Sequence, residues 1–100
     1  MDSGMREMVD AVEEARRQLR ENALPKARDR GREPVPPADE ARLVGALAAL
    51  VESAADLAGA ICERMTTPDT RRTYFRAGDR LRREARNLAG DEKDVVGRAQ

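Results

Sequence analysis

The sequence predicts an all-α protein of three helices, with a long central helix in an antiparallel hairpin with the third, and with dimerisation completing a four-helix or larger bundle. Three observations predict this. Apolar residues in three segments recur at steps of three and four, the spacing that lines one side of a helix. Prolines stand between those segments, where helices start or stop. The central segment carries two apolar rows, more than the other two segments can cover.

The first segment, Ser3 to Ala23, sets Met5, Met8, Val12, Ala15 and Leu19 in a narrow stripe with Val9 beside it. Glu13 and Arg17 stand at the i, i+4 spacing of a helical ion pair. Pro25 disfavours helical backbone at Leu24, so an amphipathic helix is expected over 1–24. Residues 25–37 hold Pro25, Pro34, Pro36 and Pro37 with Gly31 and six charged residues, the composition of an extended linker. Such a linker leaves open the direction in which the first helix packs and whether it packs on its own chain.

The hairpin is expected over 38–89. Pro36 and Pro37 ahead of Ala38, Asp39 and Glu40 put proline in the first turn and acids at the positive end of the helix dipole. From there to about Met65 run two rows. One is Leu43, Leu47, Leu50, Ala54, Leu57, Ile61 and Met65; the other, a quarter-turn away, is Val44, Ala48, Val51, Ala55, Ala58 and Cys62. The opposite side is small or acidic, with Gly45, Ala49, Glu52, Asp56, Gly59, Ala60 and Glu63. Two adjacent rows ask for at least two neighbouring helices. Thr66 and Thr67 followed by Pro68 and Asp69 read as the cap and first turn of the third helix, and so short a connection makes an antiparallel pair. The third helix, Pro68 to about Ala89, turns Tyr74, Ala77, Gly78, Leu81, Ala85 and Leu88 to one side. Gly90 is its expected stop, leaving 90–100 as a flexible tail.

One hundred residues bound a single small domain with a marginal core. Leu, Ile, Val and Phe together number 17, and the helices flanking the central one offer only thin apolar stripes. A lone three-helix chain would have a shallow, alanine-rich interior. The expected self-association surface is therefore Leu43, Val44, Leu47, Leu50, Val51, Leu57, Ile61 and Met65, with a homodimer as the expected assembly.

Several functions are argued against. Acidic and basic residues balance at 19 each, so whole-chain attraction to polyanions is lacking. The absence of histidine removes the histidine-based catalytic triads, histidine general bases and most zinc sites. No glycine-rich phosphate loop or nucleophile elbow occurs. The one cysteine, Cys62, lies on an apolar row and reads as a packing residue in a reducing compartment. Glu52, Asp56 and Glu63 read as a solvated acidic face and not as metal ligands. No enzyme, cofactor or metal is expected. Met1 to Glu7 lack the apolar run of a secretory signal, and Leu43 to Val51 is stopped by Glu52 and Asp56 short of a membrane span. A cytoplasmic protein without a membrane partner is expected, and the excess of Arg over Lys with abundant Ala suits a GC-rich bacterial genome. Length and hairpin form are similar to the small hairpins of the type VII secretion family. That family's Trp-x-Gly turn is absent, however, and Tyr74 with Asp79 misses its export spacing by one residue.

The remaining local feature is charge. Arg64 to Arg86 holds eight arginines against three acids, a net of +5, while Ala38 to Glu63 carries a net of −4. Attraction between the two helices accounts for part of this. Arg72, Arg76, Arg80 and Arg83 also form a ridge suited to phosphates, with Phe75 beside them. The expected function is a non-enzymatic helical-bundle interaction or adaptor protein, acting as a homodimer or in a hetero-complex with a protein partner on the first helix. The alternative is a nucleic-acid-binding accessory or regulatory protein that uses the arginine ridge; Phe75 itself is expected to pack at the edge of the apolar side.

Overall fold

The computed structural model describes residues 3–29 and 34–99, and among these it contains three helices and no strand. The chain divides into two compact units, Met1–Pro34 and Val35–Gln100. Residues 30–33 of the expected linker lie outside the described residues.

The first unit is built on helix α1 (Ser3–Gln18), which continues without a break through a π-helical turn, Leu19–Ala23, into one further α-helical turn, Leu24–Ala27. The expected stop at Leu24 is thus displaced. Proline lacks the N–H that an α-helix would use and its ring crowds the carbonyl four residues back. Here the turn before Pro25 widens, Leu24 N–H donating to the Leu19 carbonyl, so helical backbone passes the proline. Arg17 takes Glu14 and Glu21 as partners, instead of the Glu13 expected from spacing. Its Nε donates to Glu14 Oε2 at 2.8 Å and its Nη1 to Glu21 Oε2 at 2.9 Å, with a further guanidinium contact on Glu14. Gln18 Nε2 adds a donor to Glu14 Oε1 at 3.0 Å. The hydrogen bonds from Arg17, then that from Gln18, hold the Glu14 carboxyl at about 2, well below its ordinary 4.5. No residue of α1 is buried.

The second unit is a hairpin of α2 (Pro37–Arg64) and α3 (Pro68–Ala99). Pro36 caps α2 in an extended conformation, Pro37 opens it, and Glu40 N–H donates to the Pro36 carbonyl at 2.9 Å. At the far end Met65 swings to extended backbone, its N–H on the Cys62 carbonyl at 3.2 Å, and α3 begins three residues later with Arg71 N–H on the Thr67 carbonyl at 3.0 Å. The antiparallel pairing expected from so short a connection is present.

The row of α2 that starts at Val44 packs on α3 along its length, whereas the row that starts at Leu43 is buried only toward its end, at Ile61. The row of Val44, Ala48, Val51, Ala55, Ala58 and Cys62 faces Gly78, Leu81, Ala85, Leu88, Glu92 and Val95, both at the three-four spacing of a two-stranded coiled coil. Ala55 is fully buried, with Ala48, Ala85 and Val95 buried along the same contact. Small residues let the backbones come close. A Cβ built on Gly78 would sit 3.5 Å from the Ala58 Cβ and 3.6 Å from the Ala55 carbonyl oxygen. Glu92 lies over Gly45 near the open end, and Asp56 is bridged to Arg82 at 3.2 Å.

The helix does not stop at Gly90, and 90–100 is not a tail in its described part: α3 continues to Ala99. Gly90 keeps ordinary helical backbone, since no glycine has positive φ among the described residues. Glycine costs a helix interior only about 1 kcal/mol relative to alanine. Docking of buried Val95, on the same row as Leu81 and Leu88, more than offsets that amount.

Candidate functional site

Two surfaces of the hairpin are exposed, one apolar and one basic. The apolar one is the second row of α2. In an α-helix successive residues are turned by about 100°, so the row that starts at Leu43 lies a quarter-turn from the row that starts at Val44 and packs on α3. Leu43 is 58% exposed, Leu47 38% and Leu50 41%. Ala54 is exposed as well, and Leu57 and Met65 are half-buried. Next to this row the outer side of α2 shows Ala46, Ala49, Ser53 and Ala60, all exposed and uncharged. The acids Glu52, Asp56 and Glu63 occupy the opposite flank, where Asp56 meets Arg82.

This sorts the expected self-association residues. Leu43, Leu47 and Leu50 are open to solvent; Val44 and Val51 belong to the row packed on α3; Ile61 is buried within the chain at 7% exposure. Spacing alone shows two equal rows. Which of them is used inside the chain depends on the register of α3, in which Gly78 lies against Ala55 and Ala58.

The basic surface lies on α3. Thr73, Phe75, Arg76, Asp79, Arg80 and Arg83 line an open, shallow groove along its outer side. Phe75 is 67% exposed, so its expected packing at the apolar edge does not occur. It stands at the rim of two further shallow depressions, one with Cys62, Pro68, Arg71 and Arg72, the other with Gly59, Glu63, Gly78 and Arg82. The ridge is partly neutralised from within. Arg83 pairs with Asp79 at 2.7 Å, and Arg72 lies 3.9 Å from Asp69. Arg76 and Arg80 have no acidic partner among the described residues.

Cys62 Sγ donates to the Arg71 carbonyl at 3.3 Å, next to the turn. No group of three His, Cys, Asp or Glu placed to hold a metal ion is found among the described residues. By length and composition α2 is apolar enough to cross a membrane, with a mean hydropathy of 1.6 over its most apolar 18-residue window. Only 17% of that window is buried. Comparison with known protein families, characterised proteins and solved structures finds no match.

Proposed function

We propose that this chain is a non-enzymatic helical-bundle interaction protein that works as a homodimer, its hairpins joined through the free row of α2, or in a hetero-complex through the same surface. The observation that carries the reading is the row Leu43, Leu47 and Leu50, exposed on a helix whose neighbouring row is already packed. Exposed leucines scattered singly need no explanation, but a continuous row flanked by alanines marks a contact surface. Closing it with a second hairpin gives α2 two helical neighbours about a quarter-turn apart, the arrangement of a four-helix bundle.

A transmembrane role for α2 is opposed by Glu52 and Asp56, which fall near its middle. Each acid near the centre of a membrane helix costs roughly 2.5–3.5 kcal/mol on insertion, against roughly 0.3–0.6 gained per Leu, Ile or Val. Native mass spectrometry and light scattering of the whole chain test the proposal. A dimer, or a complex with one defined protein, is expected. A monomer at every concentration, with a cooperative melt that does not depend on concentration, overturns it.

The exposure of Phe75 beside Arg76 and Arg80, which have no acidic partner among the described residues, favours a second reading, a nucleic-acid-binding accessory or regulatory protein that uses the outer groove of α3. An aromatic ring among guanidinium groups stacks on unpaired bases while the cations hold phosphates. Its mark is binding to single or double strands that weakens steeply with salt and falls when Arg76 and Arg80 become Ala. Lack of binding at low salt removes it.

A further inference from the structure

The geometry points to an antiparallel pairing of α2 with α2 of a second copy, about a two-fold axis level with Glu52; this rests on the homodimer proposed above and specifies its form. The row that starts at Leu43, open from Leu43 to Ala54 and covered at Ile61, is its own reverse. Leu43 and Ile61, Leu47 and Leu57, and Leu50 and Ala54 are each equidistant from residue 52. Turning one helix end over end and laying it on the other therefore puts Leu47 against Leu57 of the second copy and Leu50 against Ala54, a large side chain opposite a small one. In heptad terms each layer joins an a position to a d position of the other chain, which is how layers form between antiparallel helices. Leu43 falls opposite Ile61, which is already buried within its own hairpin and supplies an apolar floor there.

Charge selects the same direction. Three residues outside Leu43 and Ile61 stand Glu40 and Arg64, again equidistant from residue 52 and both exposed. Antiparallel pairing places Glu40 of each copy against Arg64 of the other, twice by symmetry. Parallel pairing would set Glu40 on Glu40 and Arg64 on Arg64. The positions flanking the row on the outer side, Ala46, Ser53 and Ala60, are small and uncharged, so nothing along about 27 Å of seam holds the helices apart. Glu52, Asp56 and Glu63 stay on the far flank, with Asp56 engaged by Arg82. A second copy is thus matched in register, size and charge, as an isologous interface requires.

The test measures dimer dissociation by sedimentation for the whole chain and for E40R, R64E and the double variant, with helicity followed by circular dichroism. Antiparallel pairing predicts that each single reversal weakens the dimer on the order of tenfold and that the double variant recovers most of the loss. A second readout uses cysteines in a C62A background: L47C mixed with L57C should give an oxidised dimer that neither forms alone. A native dimer whose affinity ignores the single reversals, is not rescued by the double one, or cross-links through L47C alone overturns the antiparallel form and leaves the dimer standing. A native chain that stays monomeric, its row covered by α1 or by another protein, overturns both.

Discussion

Replacing Leu50 by glutamate should separate assembly from folding. Leu50 is 41% exposed in the single chain, so the folded monomer already tolerates water there and loses little. Full burial of a leucine contributes roughly 1.5–3 kcal/mol. Covering the exposed two fifths therefore contributes about 0.6–1.2 kcal/mol per copy and about 1–2.5 kcal/mol for the pair. A carboxylate held against Ala54 of the second copy without a cation adds a penalty of about 3 kcal/mol or more. Together these weaken the dimer by about a thousandfold or more. Sedimentation velocity across a wide concentration range should show a native dimer and an L50E monomer of unchanged helicity. The melting temperature of the native chain should rise with concentration, because dimerisation stabilises the fold by mass action, and that of L50E should not. A native mass unchanged by L50E would refute the assignment of the free row.

Ala55, five residues away and fully buried against α3, should behave in the opposite way: A55L overpacks the hairpin by roughly 1–3 kcal/mol and lowers the melting temperature of any monomeric background such as L50E. At Gly78 the space for a methyl group is already present at ordinary contact distance, so G78A should stabilise the hairpin by about 0.5–1 kcal/mol, seen as a rise of about 2–8 °C in thermal unfolding. Glu14 should titrate near 2 in a carboxyl-detected NMR experiment and return toward 4.5 in R17A. Because its folded value is the lower one, its support of α1 is complete above about pH 4.5 and is lost as pH falls toward 2. In a flotation assay with neutral vesicles the chain should stay at the bottom of the gradient, and co-flotation that resists salt and carbonate would place α2 in lipid and contradict the proposed use of its free row.

The helices were legible because their signals are local. Periodic rows marked α2 and the first part of α3, and the prolines at 36, 37 and 68 marked where they start. The ends expected at Pro25 and Gly90 are displaced for different reasons, one local and one tertiary. A widened turn carries helical backbone past Pro25, and docking of Val95 holds Gly90 helical. A signal for the longer α3 was present, since Leu81, Ala85, Leu88, Glu92 and Val95 keep the three-four spacing, but a glutamate in the row hid it. Glu92 sits there because Gly45 has no side chain in its way.

By itself the sequence determined that there would be three helices, that α2 and α3 would form a hairpin, and that α2 would carry two rows where one suffices for a partner. These follow from helical periodicity and from a connection too short for any other arrangement. Only the tertiary structure decided which row is spent inside the chain along its length and which leaves Leu43, Leu47 and Leu50 facing water. That choice depends on how closely Gly78, Ala55 and Ala58 let two backbones approach, a property of a pair of surfaces that neither strand of sequence contains alone.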